Sequence, residues 1–395
     1  MKSKSRKLAT LLTHAGRDPA ANFGIVNPPI YRASTVLQPT VAALEAAQRD
    51  RYGGVRYGRH GTPTTFALEE AVAAVEGGHR AVALPSGLAA VAAALFGFVR
   101  PGDHVLMADH VYGPARNLAN GMLKRFGVET EFYDPLIGAG IAALLRDNTR
   151  VVYMESPGSL TFEVMDVPAV LSATKPRGVT TILDNTWASP CFFHPLKLGV
   201  DVSVIAGTKY IVGHSDAMLG LAVCNEASFM PVRLAASELG YSAGPDDCYL
   251  GLRGMRTAAV RMKHHEAQGL ALAEWLRRRP EVARVLHPAL SGHPGHEFWR
   301  RDFTGASGLF GVVLRDVPKP AVAAMLDGME LFGMGASWGG YESLILPVDP
   351  GKLRTATRWQ PEGPTLRLHA GLEDLDDLID DLERGLDRLR AAAAG

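Results

Sequence analysis

The run Asp201-Val202-Ser203-Val204-Ile205-Ala206-Gly207-Thr208-Lys209-Tyr210 begins as an apolar segment of strand length and ends in a glycine, a hydroxyl residue and a lysine. β-branched residues dominate its first half, which favours a strand buried on both faces. A lysine just past such a strand can reach into a cleft. Partial burial lowers an amine pKa and makes the neutral amine a nucleophile.

Upstream, strand-like and helix-like segments alternate. Residues 64–76 read as a helix stopped by Gly77-Gly78, 81–84 as a buried strand and 88–98 as an apolar helix. Strands follow at 104–108, 128–133, 150–155, 180–184, 201–206 and 218–224, with helices at 141–147 and 167–175. This alternation predicts an α/β fold with a mostly parallel sheet. Past Arg256 helical segments dominate, among them 267–279, with strands at 309–316 and 342–347. Leu372, Leu375, Leu378, Ile379, Leu382, Leu386 and Leu389 recur at three- and four-residue steps and predict a closing amphipathic helix. The expected organisation is an arm over 1–60, irregular and punctuated by Pro28-Pro29, Gly53-Gly54 and Gly58, a large domain over 61–256 and a smaller α+β domain over 257–395.

Composition narrows the function. Lys plus Arg is 41 and Asp plus Glu is 41, so the formal charge is zero, which argues against a dedicated nucleic-acid binder. Apolar residues are 47% and charged residues 21% of 395, an ordinary globular mix that excludes a disordered chain. Cys191, Cys224 and Cys248 are odd in number and far apart, the usage of a reduced, cytosolic protein. The basic N-terminus lacks the apolar run of a signal peptide. Residues 81–99 carry no charge, but Pro85-Ser86-Gly87 breaks them near their start; a buried strand, a turn and a helix are expected, with no membrane span.

In open α/β sheets ligands collect at the carboxyl ends of the strands. Ser86-Gly87-Leu88 follows one strand at a helix start, where backbone N–H groups can receive an anion. Asp184 ends another strand, and Lys209 follows a third. Each alone is also what a plain turn, a helix cap or a surface lysine looks like. Together they offer a phosphate cradle, a carboxylate and a nucleophilic amine, the three things pyridoxal phosphate needs. No dinucleotide loop, P-loop, zinc spacing or serine-hydrolase elbow competes. His264 and His265 are helix neighbours that point apart and read as surface or packing residues.

The segment from Gly207 to Asp216 resembles the lysine signature of the Cys/Met-metabolism PLP enzymes of aspartate-aminotransferase fold type I. The resemblance extends to 57–64, 86–90, 183–186, 337–344 and 367–373, and so to nearly the whole chain. It implies that Lys209 carries the cofactor through a Schiff base, Asp184 pairs with the pyridine nitrogen and Tyr112 stacks on the ring. It gives the phosphate to the amides of Gly87 and Leu88 and the Thr208 hydroxyl. Tyr57 and Arg59 are expected to reach a neighbouring subunit's phosphate, and Tyr57 and Tyr112 to enter the chemistry beside Lys209. Arg367 is expected to clamp a substrate carboxylate, helped by the Ser337–Trp338 backbone.

Two departures matter. Many members have serine where this chain has Ala206, so one phosphate contact should be missing. Glu155-Ser156-Pro157-Gly158-Ser159-Leu160 and Ser337-Trp338-Gly339-Gly340 resemble the bacterial β-lyase branch rather than the γ-type enzymes. The implied activity is cleavage of a carbon–sulfur bond in cystathionine, giving homocysteine, pyruvate and ammonia on the way to methionine. The alternatives are a γ-lyase or γ-synthase, and a non-catalytic binding protein on the same fold. The resemblance also implies a homo-oligomer, a dimer of dimers.

Overall fold

Two antiparallel contacts at one end of an otherwise parallel sheet bring all the predicted strand ends to one edge. A computed structural model describes residues 6–50, 52 and 54–394. The first residues of the basic N-terminus and Gly53 of the turn signals lie outside them.

The large sheet holds β1 (Arg80–Leu84), β2 (His104–Ala108), β3 (Glu129–Tyr133), β4 (Thr149–Glu155), β5 (Thr180–Asp184), β6 (Val202–Ile205) and β7 (Gly220–Cys224), in the order β1-β7-β6-β5-β4-β2-β3. β2 to β6 run parallel, and β7 is antiparallel to both β6 and β1. β1 therefore points the same way as β6, and its carboxyl end meets theirs. β2, β5 from Thr181, β6 and β7 are buried throughout, as helices on both faces require.

Local signals set the flanking helices. Pro63–Glu76 opens with Pro63 at its first position and a capping box between Thr62 and Thr65; Gly77 ends it at φ +84°. Gly87–Phe96 is capped by the Ser86 side chain, which accepts from the Ala89 N–H at 3.1 Å. The uncharged run 81–99 is thus a buried strand and a ten-residue helix. Among the described residues no helix is long and apolar enough to cross a membrane.

A second sheet, all antiparallel, contains β8 (Val282–Leu286), β9 (Leu309–Leu314), β10 (Leu344–Val348) and β11 (Thr365–His369) in the order β10-β11-β9-β8. The closing helix, Leu375–Ala393, buries Leu378, Leu382, Leu386 and Leu389 against this unit's own core.

Three expectations are corrected. Residues 141–147 do not form an α-helix; Gly138–Leu144 is a tighter 3-10 turn, its glycines at 138 and 140 working against a regular helix. The helix expected at 267–279 is the end of a 32-residue helix, Pro245–Leu276, which runs through position 256 without a break. The first 60 residues are not wholly irregular: Leu8–His14 and Val41–Arg49 are helices, the latter capped by Thr40. His264 and His265 do point apart; His265 is buried with Nδ1 2.8 Å from the Ala370 carbonyl, while His264 is exposed.

Candidate active site

The carboxyl edge of the large sheet faces the β10–β11 side of the small one across a cavity of about 570 Å³. Gly87, Leu88, Tyr112, Asp184, Thr208, Lys209, Ser337, Trp338 and Arg367 all line it. Tyr57 and Arg59 do not; Arg59 donates to the Ser237 carbonyl at 2.9 Å on the outside of its own chain.

Lys209 follows β6 by four residues and points at the second sheet. Its Nζ donates to the Ser337 hydroxyl at 2.5 Å and stands 5.2 Å from the centre of the Trp338 ring. Burial, reinforced by the Arg367 charge and opposed by Asp184, lowers its amine to about 8. The neutral amine is thus a minority near neutral pH, but a far larger one than in an ordinary lysine.

Asp184 ends β5 with one oxygen fixed. Oδ1 accepts the Thr186 N–H at 2.9 Å and the Thr186 hydroxyl at 2.5 Å, and that hydroxyl accepts the Ala206 N–H at 2.9 Å. Burial raises the carboxyl, and the Thr186 bonds and the Lys209 charge oppose the shift.

The anion cradle is built from small residues. The Ser86 cap takes the Ala89 N–H, so Gly87 and Leu88, in the first turn, have no acceptor within the helix. A side chain on Gly87 would start 2.6 Å from Ala206 Cβ, so the helix end lies directly against the segment leading to Lys209. Ala206 brings no hydroxyl. The Thr208 hydroxyl donates to the Leu219 carbonyl at 3.1 Å and accepts the Leu219 N–H at 2.9 Å, bonds that tie the lysine loop to β7.

Arg367 lies in the middle of β11 and donates to the Ser337 carbonyl at 2.8 Å. Ser337 sits in the left-handed region at φ +85°, a conformation that costs a non-glycine residue about 1–3 kcal/mol. Its surroundings hold it there. His369 Nε2 accepts the N–H of Gly339 at 3.1 Å, and its other nitrogen lies 3.1 Å from the Glu342 carbonyl. That carbonyl requires a proton on Nδ1, which leaves Nε2 free to accept.

Sequence reasoning missed Glu155. It ends β4 directly opposite Asp184 on β5, and lines the cavity. Oε2 accepts the Tyr112 N–H at 2.6 Å and Oε1 accepts the Ser159 hydroxyl at 2.5 Å. Burial, then the Asp184 charge, raises its carboxyl to about 8. The strand-end rule that selected Asp184 would have selected it. Burial, then Asp184 and Glu155, also raises the Tyr112 phenol.

The arrangement fits pyridoxal phosphate: free helix-end amides beside a glycine that leaves room, an oriented carboxylate and a low-pKa lysine share one cavity. The profile of the Cys/Met metabolism PLP-dependent enzymes matches residues 9–387. The chain belongs to this family. Within this PLP-dependent family it is 47% identical to a cystathionine beta-lyase of Escherichia coli (strain K12), over 97% of this chain and 99% of that one. It is 44% identical to a cystathionine beta-lyase of Salmonella typhimurium, over the same shares. The solved cystathionine gamma synthase of Xanthomonas oryzae, in complex with aminoacrylate and cysteine, superimposes with a TM-score of 0.89 at 30% identity, covering 98% of this chain and 100% of that one. That likeness extends the family's fold type I architecture to this chain.

Proposed function

We propose that the protein is a carbon–sulfur β-lyase that cleaves L-cystathionine to homocysteine, pyruvate and ammonia, a step toward methionine. The observation that carries this reading is the convergence of Lys209, Asp184 and Arg367 on one cavity; the 47% identity to a cystathionine beta-lyase favours the β over the γ reaction.

Lys209 would hold the cofactor, with Asp184 as the acidic partner of its ring nitrogen and Tyr112 beside it, and Gly87 and Leu88 would take the phosphate, helped by Thr208 when its hydroxyl turns from the Leu219 carbonyl. The chemistry the bound cofactor supplies is an electron sink for the pair released at the substrate Cα. Arg367, oriented by the Ser337 carbonyl, binds the substrate carboxylate as a planar fork. Lys209 Nζ, with its depressed pKa, takes the Cα proton. The Cβ–S bond breaks with the electron pair leaving on sulfur, and hydrolysis of the three-carbon remainder gives pyruvate and ammonia.

The working unit is a homo-oligomer, at least a dimer and by family resemblance a dimer of dimers, in which Tyr57 and Arg59 complete the neighbour's phosphate site. Supporting this, Phe23 is 99% exposed, Leu37 88% and Val41 72%, an unusual density of bare apolar side chains in the segment leading to Tyr57. A cytoplasmic setting fits three buried, unpaired cysteines. The deciding experiment incubates the PLP-loaded protein with cystathionine and identifies the keto acid. Pyruvate is expected; 2-oxobutyrate would move the protein to the γ-type enzymes.

A further inference from the structure

β10 and β11 are antiparallel neighbours, and most such pairs are joined by a few residues. Here residues 349–364 join them. The far end of the connection returns to its own sheet, where Glu362 pairs with Arg284 at 2.8 Å, but its middle does not. Residues 354–357 reach the carboxyl edge of the large sheet and are held there at two points.

The first hold is Asp109, one residue past the end of β2 and fully buried. It accepts the N–H groups of Thr355 at 3.0 Å, Ala356 at 3.0 Å and Thr357 at 2.7 Å, and the Thr357 hydroxyl at 2.8 Å. Arg116 balances its charge at 2.5 Å. The second hold is Glu163, which receives Arg354 Nη2 at 2.6 Å. The same guanidinium nitrogen lies 2.5 Å from the Thr161 hydroxyl, and the Arg354 and Glu163 side chains are 5% and 11% exposed. Three successive backbone amides on one carboxylate, next to a buried arginine pair, fix this segment more firmly than an ordinary surface loop requires.

Both anchors grow from loops that line the cavity. Asp109 lies three residues before Tyr112, and Glu163 follows Ser159 and Leu160. Between the held segment and the cavity stands Leu353, which lines the cavity and comes within 3.8 Å of the position a Gly113 side chain would take. Arg367 fixes one end of an amino acid and Lys209 faces its Cα. Leu160, Phe162 and Leu353 form one stretch of the apolar wall available to the rest of the substrate.

We propose that Asp109 and Glu163 are positioning residues that clasp residues 354–357 across the cavity, so that Leu353 closes the subsite for the group that leaves on sulfur. This rests on the β-lyase reading. No bond is made or broken by the clasp; it sets which thioethers fit.

The test compares PLP-loaded wild type, Arg354→Gln, Leu353→Ala and the double variant on cystathionine and on S-methylcysteine, which share the amino-acid end and differ in the leaving group. Arg354→Gln and Leu353→Ala should each raise KM for cystathionine about tenfold with kcat within about twofold, and change S-methylcysteine less than about twofold. If the clasp acts through Leu353, the double variant is no worse than the worse single one. Thr357→Val, which removes the hydroxyl's bonds to Asp109 and Arg354 and keeps the backbone bonds, should move KM the same way by less, and serves if Arg354→Gln folds poorly. Independently of turnover, trypsin should cut after Lys352 and Arg358 faster in Arg354→Gln than in wild type. Equal effects on both thioethers, a loss confined to kcat, additive KM changes, or an unchanged cutting rate would overturn the clasp. A wild-type enzyme releasing no keto acid from either thioether would overturn the β-lyase reading instead, leaving the tryptic comparison to judge the clasp.

Discussion

Ser337 accepts a hydrogen bond from Lys209 at 2.5 Å, across the gap between the two sheets. The lysine belongs to the loop after β6 and the serine to the loop before β10. The same serine offers its carbonyl to Arg367. One residue of the smaller unit thus contacts both the Lys209 amine and the Arg367 guanidinium.

Ser337→Ala keeps the carbonyl and the φ +85° backbone but removes the hydroxyl. A hydrogen bond to a charged group is worth about 1.5–3 kcal/mol, so kcat/KM should fall about 10- to 100-fold. Borohydride reduction and peptide mapping should still place the pyridoxyl group on Lys209. Ser337→Gly should lose the same activity yet unfold at a higher temperature, because glycine relieves the left-handed strain. A Ser337→Ala enzyme with wild-type kinetics would show that the contact has no part in turnover.

Arg367→Lys replaces a planar fork with a point charge. Catalytic efficiency should fall by about 2–4 kcal/mol, the scale for disrupting a desolvated charge pair. Cofactor absorbance should persist, since Lys209, Asp184 and Gly87 are untouched. Near-normal kcat/KM, or loss of the cofactor, would mean the residue is misplaced.

Arg59→Ala should weaken PLP retention although Arg59 lies outside the cavity of its own chain. Mixing Arg59→Ala with Lys209→Ala subunits provides a sharper measurement. If Arg59 serves the neighbour's site, a hybrid dimer regains one intact site, and random mixing should restore about a quarter of wild-type activity. No recovery after subunit exchange, or a fully active monomer in sedimentation, would count against the shared site.

Glu76 is buried under the large sheet, where its Oε1 accepts from Ser203 at 2.5 Å and Asn185 at 2.9 Å. Burial raises its carboxyl to about 7, against those two hydrogen bonds. An acid whose pKa is raised on folding binds its proton more tightly in the folded state. Its contribution to stability is therefore greatest below the unfolded value and is lost as pH rises toward 7. Glu76→Gln keeps an acceptor and has no charge to bury. It should match the parent near pH 4 and exceed it by about 3 kcal/mol above pH 7. Thermal unfolding across this range should show the two curves parting; parallel curves would reject the assignment.

Much of the site was legible because its residues follow short apolar strands. A run such as Thr180–Leu183 has few ways to bury itself except as a strand covered on both faces, and Asp184 then falls at its end. Gly87 and Lys209 are marked the same way, by a strand, a turn and a change of residue type. The helix through 256 was misjudged because the change of texture there is one of composition only: the buried side continues through Leu252, Met255, Ala258 and Met262, and no proline follows the helix's first position.

The sequence by itself determined the strand ends, and with them the candidates Lys209, Asp184 and Gly87–Leu88, because strand periodicity and turn chemistry are local. Only the tertiary structure decided that Glu155 stands opposite Asp184, that Ser337 meets Lys209, and that His369 holds the Gly339 turn. Those pairings join residues 29, 128 and 30 positions apart. They depend on strand register and on how the second sheet is set against the first, and packing between distant segments carries no local signature in the chain.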